Sequence, residues 1–65
     1  MKPLSARQQK LLEHLANGWT YKEYGYMVGT SARSVTAMAT TICRRLEAVN
    51  VPNAVHEAWK KGILK

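Results

Sequence analysis

Between residues 30 and 46 the chain reads TSARSVTAMATTICRRL. If this stretch is helical, Arg33, Thr36, Ala37, Thr40, Thr41 and Arg44 share one face. They supply guanidinium groups, hydroxyls and methyls, which are the donors, acceptors and apolar contacts that base edges and phosphate oxygens engage. From Ser34 to Cys43 there is no charge and no amide side chain, so the two arginines bracket a neutral face. Catalytic chemistry finds no comparable set. No nucleophile, base and orienting acid recur at a recognisable spacing, and a chain of 65 residues is too small to enclose a substrate pocket. It is not expected to be an enzyme. The single cysteine, Cys43, excludes an internal disulfide, and His14 and His56 stand too far apart for metal-ligand spacing. No metal or cofactor is expected.

The elements that would position this face are helical. Ser5 with Gln8 fits a capping box, and Leu11, Leu12, Leu15 and Ala16 recur at helical spacing until Asn17-Gly18. Thr20 with Glu23 opens a second, two-turn helix whose apolar face is Tyr24, Met27 and Val28, ended by Gly29. Ser31 caps the third. SVTAMATTI is β-branched and strand-like in composition, but Val35, Met38, Ile42, Leu46 and Val49 step by three or four and form one helical stripe. Asn50 is a plausible cap for a fourth helix, with Pro52 suited to its first position, an apolar side of Val55, Ala58 and Trp59, and a stop at Gly62. The expected architecture is one domain over residues 1–65, an all-α, wing-less four-helix bundle with helices near 5–17, 20–28, 31–47 and 51–61. The short second helix, the glycine turn and the longer third helix form a helix-turn-helix. That motif holds its second helix proud of the core, so the outer face can enter the major groove.

Composition bounds the class. A hydrophobic fraction of 46% and a charged fraction of 22% suit a globular domain near the lower size limit for a self-sufficient core. Ten Lys and Arg against four acids give a net charge of +6, a physical argument for a polyanionic partner. No apolar run approaches the roughly 18 residues of a membrane span. The basic residues do not share a face with a long apolar stripe, as a helix lying on a membrane requires. MKPLSARQQ turns polar too early for a signal peptide, so a reduced cytoplasm, close to the nucleoid, is the expected compartment.

Read without gaps over roughly residues 4 to 64, the chain resembles the DNA-binding domain of the LuxR/GerE-type response regulators. That family opens Leu-Thr-x-Arg-Glu, and Leu4, Ser5 and Arg7 match while Gln8 replaces the acid. The family run Leu-Leu-Ala-x-Gly-x-Ser-Asn-Lys-Glu-Ile-Ala is met by HLANGWTYKEYG, with Leu15, Ala16, Gly18, Thr20, Lys22 and Glu23 in register. Ser31 is the turn serine, and Ser34 to Met38 stand where the family has Thr-Val-Lys-x-His. Ile42, Arg45, Leu46, Asn50, Ala54, Val55, Ala58, Gly62, Ile63 and Leu64 continue the pattern. The resemblance implies a transcription regulator that binds double-stranded DNA as a homodimer. Its third helix would lie in the major groove and its fourth would supply the dimer contact, here through Val51, Val55 and Trp59. Thr20 and Lys22, at a helix N-terminus that suits an anion, would sit near phosphates. Arg33, Thr36, Ala37 and Thr40 would face bases or flanking phosphates.

The departures are specific: Thr36 for a lysine, Met38 for a histidine, Gly25 for an alanine, Thr30 for a hydrophobic residue, Glu47 for a glycine, and tyrosines at 21, 24 and 26. Losing the lysine removes one phosphate or base contact, while threonine can still donate to a base or touch a thymine methyl. The bare third helix and the tyrosines also fit a second class: an interaction module that keeps the fold but binds another regulator or RNA polymerase. Arg44 and Arg45 suit either phosphate anchors or favourable charge at a helix C-terminus. Trp59 and Val55 could be dimer seam or core, and the seam is the expectation. Arg7 is expected to pair with a carboxylate, Glu23 being the candidate. Lys60, Lys61 and Lys65 are expected to be solubilising surface, Trp19 packing, and Cys43 a half-buried small residue. If the chain is complete, as Met1 permits, regulation comes through abundance, a partner or a surface effector; if it is an excised domain, the sensor lies elsewhere.

Overall fold

The computed structural model describes residues 4–64. Its order is α1 (Ala6–Ala16), α2 (Tyr21–Val28), α3 (Ala32–Arg45) and α4 (Val51–Lys60), with no strand among the described residues. Each start is written in the sequence. Ser5 Oγ accepts the Gln8 amide at 3.2 Å while Gln8 Oε1 accepts the Ser5 amide at 2.9 Å, and Thr20 and Glu23 repeat that reciprocal pair at 3.1 and 2.9 Å. Ser31 accepts from Ser34 at 3.1 Å and Asn50 from Asn53 at 2.8 Å. Each cap satisfies an amide that the helix itself leaves without a partner. Pro52 falls second in α4, after Val51, rather than first.

All four helices stop in the same way, with a left-handed residue that turns two amides back onto the last carbonyls. After α2, Thr30 N–H donates to Gly25 at 2.8 Å and Gly29 N–H to Tyr26 at 3.4 Å. Gly29 has φ 78°, which a residue without Cβ adopts at little cost. After α3 the equivalent bonds run from Ala48 to Cys43 at 2.8 Å and from Glu47 to Arg44 at 3.2 Å. Here the left-handed residue is Glu47, with φ 55°. The helix expected to reach residue 47 therefore ends at Arg45. The stripe expected to run to Val49 ends at Leu46, and Val49 lies outside it, 88% exposed.

The core is built around α3, which packs against α1, α2 and α4, while α2 and α4 do not meet. Val35, Ala39, Ile42 and Leu46 form its buried stripe, with Met38 only partly covered at the edge. Leu11 and Leu12 of α1, Tyr24 of α2, and Ala54 and Ala58 of α4 close over it, joined by Leu4 and Leu64. Two expected faces shift. On α4 the fully buried residues are the small Ala54 and Ala58, which let the backbones approach, while Val55 is half-buried and Trp59 is 52% exposed. On α2, Tyr24 is buried beside Gly25, but Met27 is turned outward at 46% exposure, and Val28, on the Tyr24 side at the last position of the helix, is left 49% exposed.

That rotation of α2 has a steric cause. A Cβ on Gly25 would lie 2.8 Å from the Thr30 carbonyl oxygen and 3.3 Å from the Ser31 carbonyl carbon. The turn packs directly on the α2 backbone, so the burial face of α2 centres on Gly25. Gly25→Ala is therefore expected to destabilise the domain by about 1–3 kcal/mol from forced backbone shifts, although alanine is the better helix former by about 1 kcal/mol. Glu47→Gly is expected to stabilise it by about 1 kcal/mol, by removing the left-handed penalty. Urea-unfolding midpoints check both signs. A midpoint raised by the first change, or lowered by the second, contradicts this reading of the turns.

Candidate nucleic-acid interface

The buried stripe decides which side of α3 faces out. Arg33, Thr36, Ala37, Thr40 and Arg44 are exposed and Thr41 is half-buried, so the structure places the bracketing arginines and the neutral face between them on the free side. The threonines are not free to donate, however. Thr36 Oγ1 donates to the Ala32 carbonyl at 2.9 Å, Thr40 to Thr36 at 3.0 Å and Thr41 to Ala37 at 3.2 Å. With each hydroxyl proton held by the helix four residues back, the face presents methyl groups and the remaining oxygen lone pairs. It can touch thymine methyls and accept from amino groups, but it offers few donors between Arg33 and Arg44.

The N-terminus of α2 stands beside one flank of this helix. Tyr21 shares a shallow groove with Ala39, Thr40 and Cys43 of α3, and with Val49, Asn50 and Val51 at the start of α4. Thr20 donates its amide to Glu23 Oε1, while its hydroxyl oxygen accepts from the Glu23 amide. The hydroxyl proton is left to donate, so Thr20 shapes the helix start and can still meet an anion. The other groups left for an anion there are the Tyr21 and Lys22 amides, the first two of α2, and the exposed Lys22 ammonium. The loop ahead of them is held by His14. Its ring meets Trp19 edge-on at 4.9 Å and Tyr24 at 5.1 Å, and its Nδ1 hydrogen-bonds the Lys10 carbonyl at 2.8 Å. Sequence reasoning assigned His14 no role, because its aromatic partners are set by the turn and not by spacing. The packing expected of Trp19 takes this form, with 38% of its surface left exposed.

Two further expectations need correction or detail. Arg7 does not pair with Glu23, because that carboxylate is committed to the Thr20 amide. Among the described residues the ion pair formed is Lys60–Glu57 at 3.4 Å. Of the expected dimer residues, Val51 and Val55 are half-buried, and Trp59 alone offers a large exposed apolar surface. It lies beside Gln9, Glu13, Asn17 and Ile63 at the junction of α1 and α4. Cys43 is half-buried, and desolvation pushes its thiol pKa up, which keeps it protonated and unreactive. Among the described residues no helix is long and apolar enough to cross a membrane.

The family model of the bacterial regulatory proteins of the luxR family (GerE) matches residues 2–58. Among curated proteins the chain is similar to the transcriptional regulatory protein FixJ of Azorhizobium caulinodans. The two are 32% identical over 60 residues, covering 92% of this chain and 28% of FixJ. The chain thus spans less than a third of that relative's length. No solved structure matches it.

The capping box makes the start of α2 sensitive to acid. Hydrogen bonding from the Thr20 backbone, and next from its side chain, holds the Glu23 carboxyl below its usual range. A depressed folded pKa contributes stability that is present above the unfolded value and is lost as pH falls through the folded one. Thermal melts in acid are expected to fall less steeply for Glu23→Gln, which keeps the reciprocal bonds without a titrating group. Identical slopes for variant and parent would contradict this.

Proposed function

The chain belongs to the luxR family of bacterial regulatory proteins, and on that premise we propose that it is a sequence-specific DNA-binding transcription regulator. It acts as a dimer at the nucleoid, with α3 in the major groove of double-stranded DNA. One observation carries the reading: an exposed helix face bracketed by Arg33 and Arg44, fixed outward by its own buried stripe, on a chain of net charge +6. The arginines supply charged contacts to bases or phosphates, and Lys22 with the start of α2 holds a flanking phosphate. Thr36, Ala37 and Thr40 supply apolar contact with thymine methyls. Thr41, half-buried, supports the face from its edge. Each contact of this kind is modest, so a second subunit, joined through Trp59 with Val51 and Val55, supplies the remaining affinity.

A second reading has its own observation. Trp19, Tyr26 and Met27 line one apolar hollow with Lys22 and Glu23 on the outer side of α2, and Tyr26 is 90% exposed. Exposed aromatics clustered on a small domain favour a protein contact, such as another regulator or RNA polymerase.

Titration against promoter fragments and random duplexes over a salt series separates the two. Specific binding that weakens steeply with salt is expected. Arg33→Ala should cost about 1–3 kcal/mol if the guanidinium meets a base, and Thr40→Ala should cost less. Trp59→Ala should lower the solution mass from dimer to monomer and weaken specific binding. Absence of any DNA binding at low salt would remove the first reading and leave Tyr26→Ala, assayed for loss of a captured regulator or polymerase, to test the second.

A further inference from the structure

We propose that Arg7 and Lys10 of α1, with Arg45 of α3, form a second phosphate-binding wall on the flank of α3 opposite the start of α2. The inference rests on the DNA-binding reading; it brings Arg7 and Lys10, to which the sequence assigns no DNA contact, together with Arg45 as a single strand contact.

The geometry comes from the helix period. Advancing 100° per residue from the buried stripe of Val35, Ala39, Ile42 and Leu46, Thr40 and Cys43 fall on one flank of α3, and Met38 and Arg45 on the other. The first flank faces Tyr21, so the N-terminus of α2 and Lys22 stand on that side. On the second flank Met38 shares a groove with Arg7 and Lys10 of α1, floored by Tyr24 and Val28 and closed by Thr30 of the turn. Arg45, seven residues and two turns beyond Met38, continues that line.

A helix about 10–12 Å across fills a major groove about 12 Å wide, so both sugar–phosphate walls come against its flanks. Cations on one flank alone would hold one strand. Here both flanks carry them. Arg7, Lys10 and Arg45 are exposed, and none is engaged by an acid: the ion pair among the described residues is Lys60–Glu57, and Glu23 is committed to the Thr20 amide. Their charge is therefore available to phosphate. The apolar floor beneath Arg7 and Lys10 supports their aliphatic stems while the charged heads reach outward.

The test is the salt dependence of binding of the whole chain to a fluorescein-labelled duplex of arbitrary sequence. Each phosphate neutralised contributes about 0.9 to the log–log slope. The R7A/K10A double variant is expected to lose roughly 1.8 from the slope per subunit, and R45A about 0.9 more. R7K/K10R, which keeps both charges, is expected to retain the parent slope. K61A, at the end of α4 away from this groove, is expected to leave it unchanged. Circular dichroism melts matching the parent confirm that each variant is folded, and R7Q/K10Q replaces the alanine pair if it is not. An unchanged slope for the neutral variants, with the parent still binding, overturns the second wall and leaves the DNA reading intact. So does an equal loss from K61A or from R7K/K10R. Absence of binding by the parent at low salt overturns both.

Discussion

The helix-turn-helix rests on the absence of one side chain. With no Cβ on Gly25, the Thr30 carbonyl comes within what would be 2.8 Å of that position, and the turn seats against the backbone of α2 rather than beside it. Gly29 completes the turn in a conformation most residues avoid, and Ser31 immediately caps α3. These three residues fix how α2 lies against α3. From that follow the burial of Tyr24, the outward turn of Met27, and the placing of the α2 N-terminus along the Thr40 flank. An alanine at position 25 gives a better isolated helix and a worse junction. Tertiary fit outweighs local propensity at this one site.

On that frame the interface divides its labour by charge. The centre of the α3 face is neutral and its hydroxyl protons are held by its own carbonyls. On the proposed DNA-binding reading, discrimination there depends on shape and methyl contact. On the same reading, affinity comes from the periphery, where Arg33, Arg44, Lys22 and the cations of the opposite flank are proposed to meet phosphates through a salt-sensitive term that carries no sequence information. The apolar surface left over gathers on two outward faces, around Trp59 on α4 and around Trp19, Tyr26 and Met27 on α2. The Trp59 surface is on α4, whereas the α2 hollow includes Lys22, so a protein contact at α2 would compete with the phosphate contact proposed for that lysine.

Much of the fold was legible because it is local. Ser5–Gln8, Thr20–Glu23, Ser31 and Asn50 are caps whose donors and acceptors lie within three residues, so spacing alone reveals them. The inward stripe of α3 survived a strand-like composition because periodicity outranks β-propensity over four turns. What escaped was decided by competition or by backbone. Glu47 takes a left-handed φ that its residue type does not signal; the one clue to the stop after α3, and with it to the exposure of Val49, was the glycine that the resembled family has at that position. Arg7 seemed to need Glu23, but a carboxylate three residues from a helix cap has a nearer partner. The threonines seemed to be donors until their hydroxyls were followed to the helix carbonyls. On α4 the buried pair proved to be two alanines, because close backbone approach there matters more than side-chain volume.

The most direct measurement is selection of binding sites from a randomised duplex pool at physiological salt, followed by replacement of dT with dU in the recovered sites. The expected result is an inverted pair of half-sites with thymines at the positions beneath Thr36, Ala37 and Thr40. Each methyl removed should cost about fourfold in affinity, from burial of about 0.8 kcal/mol per methyl. A pool that emerges unenriched, or enriched sites indifferent to the loss of every thymine methyl, would contradict a reading helix that recognises DNA through its neutral face.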